Sequence, residues 1–296
     1  MIKVHNRSDK ILILGFILPA LLIYIAFQII PLMGALVFSV SKWNGLAASP
    51  IKFVGFDNFK ILMNDKNFLI SLKNMVKMVV FSVAFHTPIA LLLAVAINSK
   101  CKGHRLFKAI FFVPTIFPLT AVGLMWYFIF MPNGALNLFL KSVNLHQHAV
   151  PWLINKATAM NSIIFVNIWV GVGFYMVILL AGLATIPNEL YEAAQIDGAS
   201  PIQQFFLITI PMLKPIIGVC IVMDIIGSIK VFDLIFAMTE GGPNGLTNLP
   251  TTLLYYESFR YDNFGKGSAI GVLLLLLALV LITFSNFLTK EKKGAR

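Results

Sequence analysis

Six apolar runs divide the sequence, near residues 11–40, 74–97, 109–131, 162–184, 216–238 and 268–288. Each is long enough to cross a hydrocarbon core of about 30 Å at about 1.5 Å per helical residue. Inside lipid every backbone amide must be satisfied within the protein, and isolated runs of this length achieve that as helices. The chain is 58% hydrophobic and 12% charged, with a mean hydropathy of +0.87, more apolar surface than a water-soluble domain of 296 residues can bury. The expected fold is therefore an all-α polytopic membrane protein with six transmembrane helices. Lys3, Arg7 and Lys10 precede the first run as they would in a signal peptide, but the run is too long for one and reads as an uncleaved span.

An even number of spans puts both termini on one side. The basic groups Lys3, Arg7 and Lys10, then Lys100, Lys102, Arg105 and Lys108, then Lys290, Lys292, Lys293 and Arg296 all fall on that side, which the positive-inside rule makes the cytoplasm. Five lysines in the first outer loop weaken the asymmetry. A net charge of +11 could point to nucleic acid, but basic residues bunched beside apolar runs suit an anionic leaflet better. Cys101 and Cys220 fall in a loop and a span, so neither a disulfide nor a metal site is expected from them.

Between the fourth and fifth runs lies a polar stretch, 188–215, punctuated like two short helices joined at a glycine. Asn188 is placed to cap the first helix, with Glu189 and Glu192 near its positive end. Gly198 falls where that helix must stop, since glycine takes a left-handed conformation at little steric cost. Ser200, Pro201 and Gln203 spell an N-cap, a first-turn proline and the far half of a capping box. Ile202, Phe205, Phe206 and Ile210 fall near one stripe of the second helix, which Pro211 and Pro215 should end. Periodicity leaves two uses open, an amphipathic helix lying in lipid headgroups or one docking in a protein groove.

Glu192-Ala193-Ala194, Gly198 and Ile208-x-Ile210-Pro211 resemble the EAA loop of the permease subunits of binding-protein-dependent ABC importers. Ile210 stands where that loop usually has leucine, a volume-conserving change. Asp197-Gly198-Ala199 and Phe205 match the form common in carbohydrate-uptake members, the group of the maltose and glycerol-phosphate transporter permeases. Lys230-x-Phe232-Asp233 with Thr239-x-Gly241-Gly242-Pro243 resembles a second signature of that group, and Phe53-Val54-Gly55 with Asn58-Phe59 resembles its segment after the first span.

The resemblance implies a type I ABC importer permease (MetI-like) core. Residues 1–73 would form an N-terminal tail, first span and outer loop, 74–289 a five-helix core containing the 188–215 loop, and 290–296 a basic tail. It further implies a second homologous permease, two copies of an ABC ATPase carrying the ATP and Mg, and an extracytoplasmic solute-binding protein, assembled in a prokaryotic plasma membrane. By the same resemblance Glu192, Ala193, Ala194, Asp197, Gly198, Ala199, Phe205 and Pro211 are ATPase-coupling residues: Glu192 makes a charged contact, the alanines allow close approach, Gly198 turns the chain and Phe205 anchors the second helix.

Elsewhere the apolar runs carry isolated polar groups. Asp224, Lys230 and Asp233 fall in the fifth run, where ionisable groups are costly and face a bundle interior or cavity. Lys230 and Asp233, three apart, could pair on one helix face or line a polar translocation path with Asp224. His86 and Pro88 lie in the second run, and a lone histidine there is a packing residue by default. Pro114 and Pro118 interrupt the third, and Gly171 and Gly173 in the fourth allow close helix packing. His146 and His148 have a metal-like spacing without further ligands nearby and read as solvated loop.

Gly265-Lys266-Gly267-Ser268 lacks the loop of a phosphate-binding G-x-x-x-x-G-K-[ST], and no nucleophile–base–orienter set or metal cluster can be picked out. No catalysis and no bound cofactor are expected of this chain, and the resemblance implies transport of a sugar or related polyol or oligosaccharide. The alternative from another class is an ion-gradient-driven secondary transporter or channel with Asp224, Lys230 and Asp233 as the relay.

Overall fold

The computed structural model describes residues 7–98 and 103–289, with side chains at 15–98 and 103–285. Lys3, Lys100, Cys101, Lys102 and the basic tail at 290–296 lie outside the described residues, and Arg7 and Lys10 contribute only helical backbone. Six helical stretches are long and apolar enough to cross a membrane: Gly15–Ser39, Lys66–Asn98, Leu119–Ser142, Ala159–Leu183, Pro201–Ile229 and Phe264–Ser285, the first to sixth spans. The chain is a multi-pass, all-α membrane protein.

Two spans differ from the sequence expectation. The third apolar run, 109–131, is broken, with helix His104–Ile116 ending at Phe117 and helix Leu119–Phe130, the start of the third span, beginning after Pro118. Phe117 is extended (φ −76°, ψ 144°), the conformation that a following proline favours. Pro114 stays inside the first half, and its neighbour Thr115 donates its hydroxyl to the Val170 carbonyl at 2.8 Å. The fifth span begins at Pro201 and stops at Ile229, so it absorbs the second short helix of the 188–215 stretch. Neither Pro211 nor Pro215 ends that helix, and for Pro211 the reason lies in the turn before it. At Phe205–Thr209 the helix widens, and the Ile210 N–H reaches back to the Phe205 carbonyl. A proline clashes with the carbonyl four residues earlier, and a wide turn carries that carbonyl aside. The first span repeats the device: Ile25–Ile29 is a wide turn, Ile30 bonds back to Ile25, and Pro31 comes next.

By packing density the described residues fall into two units, the first running up to residue 64 and taking in 254–273, the second beginning at 65 and holding the rest. In the first unit a two-stranded ladder pairs Ser41 with Phe53 and Lys42 with Lys52, followed by helix Asp57–Asn64. The buried Asn58 side chain donates to the Ser39 and Ser41 carbonyls, both at 2.9 Å, fixing the chain where it leaves the first span. Trp43 meets Phe264 edge to face at 5.2 Å, and Lys266 pairs with Glu257 at 2.7 Å.

The second unit holds the second to fifth spans. Lipid tails are as apolar as leucine, so close packing and hydrogen bonds, rather than escape from water, hold such helices together. Gly173 shows how close: a Cβ there would lie 2.0 Å from the Phe111 carbonyl oxygen. One apolar cluster gathers Met78, Val122, Ile163, Val166, Leu234 and Met238, and another Ala94, Met176, Leu179, Leu183 and Leu213. At the end reached by Ile229 the chain breaks at Lys230 and resumes as helix Asp233–Thr239. A tight loop comes next, with Glu240 and Gly241 at φ 50° and 78° and the Thr239 and Thr247 hydroxyls 2.7 Å apart. Asn74 of the second span clamps it, donating to the Leu246 and Asn248 carbonyls at 2.9 and 3.0 Å.

Candidate functional site, the elbow at residues 188–211

The elbow is built from its own backbone outward. Its first helix is Asn188–Ile196, and Pro187, extended at ψ 132°, occupies the cap position expected of Asn188, which is instead the first helical residue. Asp197 comes after it, then Gly198 at φ +79°. The Gly198 N–H donates to the Gln195 carbonyl at 3.0 Å and the Ala199 N–H to Ala194 at 2.8 Å, the two bonds of a Schellman terminus. Two residues later the capping box closes: Gln203 N–H donates to Ser200 Oγ at 3.3 Å and Ser200 N–H to Gln203 Oε1 at 2.7 Å. Gln204 adds a side-chain bond to the Ala199 carbonyl at 3.0 Å. The turn between the two short helices is thus capped by the elbow's own residues, while the first helix starts after Pro187 with no side-chain cap.

The expected stripe divides. Phe205, Ile208 and Ile210 pack towards the Leu179–Leu213 cluster, while Ile202 and Phe206 are 71% and 59% exposed. The wide turn accounts for this, since an extra residue per turn rotates the later part of the helix relative to its start. Leu207 and Ile196 join the exposed set, at 72% and 86%. Glu192, Ala193, Asp197, Gly198 and Pro211 are also exposed, and Ala194, Ala199 and Phe205 are half-buried. The outer surface of the elbow thus carries apolar knobs beside three exposed carboxylates, Glu189, Glu192 and Asp197, and residues 188–211 contain no lysine or arginine. Beneath it is a notch of about 410 Å³ lined by Val95, Leu183, Tyr191, Phe205 and Thr209.

The ionisable residues of the fifth run are not brought together. Lys230 ends the fifth span and Asp233 starts the next helix, so the three-residue helical spacing that would pair them is lost, and both are exposed. Asp224 is buried instead, its Oδ1 2.9 Å from Nδ1 of His86 on the second span. His86 is therefore not a lone packing residue. Nothing local in the sequence announces the pair, whose members are 138 residues apart. His146 and His148 are exposed, and among the described residues no group of histidine, cysteine, aspartate and glutamate could hold a metal.

A helical bundle with a self-capped elbow between its fourth and fifth spans can be set beside known proteins. The family model for the inner membrane component of binding-protein-dependent transport systems matches residues 86–292, elbow included. The chain belongs to that family. Among its permease relatives, the probable ABC transporter permease protein YurN of Bacillus subtilis (strain 168) is 36% identical over 293 residues, 97% of this chain and 99% of that one. The trehalose/maltose transport system permease protein MalF of Thermococcus litoralis is 34% identical, covering 94% of this chain and 92% of that one. The diacetylchitobiose uptake system permease protein NgcF of Streptomyces coelicolor is also 34% identical, over 95% of this chain and 84% of that one. In structure the permease matches a chain of a bacterial ABC transporter that imports the acidic polysaccharide alginate, with a TM-score of 0.85 at 25% identity over 97% of this chain and 98% of that one.

Proposed function

We propose that this permease forms, with a second homologous permease, the path by which a sugar or related polyol or oligosaccharide crosses the cytoplasmic membrane. ATP is hydrolysed, with Mg, on two copies of a separate ATPase that grip the elbow from the cytoplasm, where both termini also lie. An extracytoplasmic binding protein delivers the solute. The sugar class is supported by the named substrates of the Thermococcus and Streptomyces relatives. A related alginate transporter structure includes a pentasaccharide-bound periplasmic protein, which supports the binding-protein partner.

One observation carries the mechanism. The second elbow helix and the fifth span are a single helical rod, Pro201–Ile229, of 29 residues. At about 1.5 Å per residue it is about 43 Å long, and its helix is continuous through the wide turn at Phe205–Thr209 and past Pro211 and Pro215, so the element displaced at the elbow is the one that reaches the far side of the bundle. Exposed apolar knobs with acidic neighbours suit a partner cleft that is hydrophobic at its floor and basic at its rim. Lys230 and Asp233, exposed where the rod ends, are the polar groups we assign to the solute path.

The test is reconstitution in proteoliposomes with ATPase, second permease and binding protein. Gly198→Pro cannot adopt φ +79° and breaks the elbow while leaving the spans intact. It should assemble yet split ATP without uptake. Uptake at the parental rate in that variant would remove the elbow from the mechanism.

A further inference from the structure

Three spans meet at one buried carboxylate. Asp224 lies on the rod that carries the elbow and is 2% exposed, and its partner His86, on the second span, is 3% exposed. The other ring nitrogen of His86, Nε2, sits 3.2 Å from the main-chain oxygen of Asn167 on the fourth span. A carbonyl oxygen can only accept, so Nε2 carries a hydrogen. A second proton must lie between Nδ1 and Oδ1, on either atom, because without it two lone pairs would face each other at 2.9 Å. Either placement leaves the pair neutral as a unit. That neutrality is what lets a histidine and an aspartate sit inside an apolar bundle, where an isolated charge is expensive.

The surroundings are shaped to this pair. A Cβ on Gly171 would lie 2.5 Å from His86 Nε2, so only glycine leaves room for the ring. Tyr175, one turn on, covers the ring at a centroid distance of 5.2 Å, and Tyr175 and Cys220 are the other titratable groups beside the carboxylate. Besides His86, the carboxylate has the Ser228 hydroxyl 3.4 Å from Oδ1 and the Tyr175 side chain interacting with it. Asn167 also donates its side chain to Ser82 Oγ at 3.0 Å, tying the fourth span to the second one turn before His86.

We propose that His86 and Asp224 form a positioning pin that keys the elbow-bearing rod to the second span in one register. Motion at the elbow then carries the second and fifth spans together instead of sliding one along the other. The proposal rests on the elbow being the ATPase contact. Neither residue touches solute in this role; both act by holding helices in place.

A pin and a merely stabilising pair respond differently to replacement. His86→Leu combined with Asp224→Leu removes the key but leaves no stranded charge, and apolar replacements of buried ion pairs often preserve or raise stability. In reconstituted complex the double variant should assemble normally while moving about tenfold less solute per ATP hydrolysed, the size of effect expected when coupled neighbours are separated. Asp224→Asn should stay within about twofold of the parent, since an amide N–H can donate to Nδ1 while Nε2–H still reaches Asn167. A parental solute-to-ATP ratio in the double variant overturns the pin. Gly198→Pro, run beside it, keeps the two readings apart. An uncoupled Gly198→Pro with a fully coupled double variant defeats the pin alone, whereas normal uptake by Gly198→Pro defeats the elbow.

Discussion

The Tyr191 hydroxyl lies 2.9 Å from Thr209 Oγ1, joining the first elbow helix to the base of the rod. Thr209 is buried, so this bond closes the notch beneath the elbow from the side of the bundle. Tyr191→Phe keeps the ring and removes the bond, which should cost about 0.5–1.5 kcal/mol of local stability. Hydrogen exchange of the amides in Asn188–Ile196 should quicken accordingly, with the spans unchanged. Unaltered protection across that helix would mean the bond bears no strain in holding it.

Gly198 has empty space around its Cα, with nothing within 4 Å of a built Cβ, so any penalty of substitution is conformational. A residue with a Cβ held at φ +79° is strained by about 1–2 kcal/mol, less for asparagine. Coupled uptake should therefore decline in the order Gly, Asn, Ala, Val at position 198. If alanine and asparagine are indistinguishable, the left-handed turn is not what the loop needs.

Loss of the capping box is measurable by itself. Ser200→Ala removes the acceptor for the Gln203 amide and should destabilise the start of the rod by about 1 kcal/mol. Exchange of the Gln203 amide reports it directly, and Ser200→Asp, which also caps, should restore protection.

Asn74 holds two carbonyls of the 239–248 loop, near the start of the second span. In Asn74→Ala both lose their partner, and the loop should become a preferred site of limited proteolysis while the elbow region stays resistant. Equal resistance in parent and variant would show that the loop's own bonds, among them Thr239–Thr247 and Thr247 to the Gly242 carbonyl, keep it closed without Asn74.

Lys230 and Asp233 provide the test of the solute path. Lys230→Met and Asp233→Asn should each raise the solute concentration for half-maximal uptake by about tenfold, as expected when a polar group of a hydroxyl-rich solute loses its partner. ATP hydrolysis in the absence of solute should not change. Parental uptake curves in both variants would move the path elsewhere.

The features legible in the sequence are local ones. The number of spans can be read from run length, and the Gly198 turn and the Ser200–Gln203 box from residues within one or two turns of each other. Helix ends at prolines mislead, because the rule that a proline stops a helix assumes regular geometry before it. The wide turns ahead of Pro31 and Pro211 suspend that assumption, and the residues at 25–29 and 205–209, apolar but for Gln28 and Thr209, give no sign of them; Pro88 and Pro215 stay inside their helices without such a turn. Lys230 and Asp233 are three apart in a chain whose helix does not continue between them. His86 and Asp224 need the folded bundle, since each alone looks like an isolated polar residue in an apolar run.

The widened turn at Phe205–Thr209 also works as an index mark. An α-helix advances about 100° per residue, so one residue inserted or deleted there leaves the rod a rod but dials the knobs of the elbow about a quarter-turn around its axis. With the elbow as the proposed ATPase contact, permeases differing by a single residue at this point would offer their engines different faces. Length in this short segment, more than the identity of its side chains, would then decide which motor subunits can be exchanged between transporters.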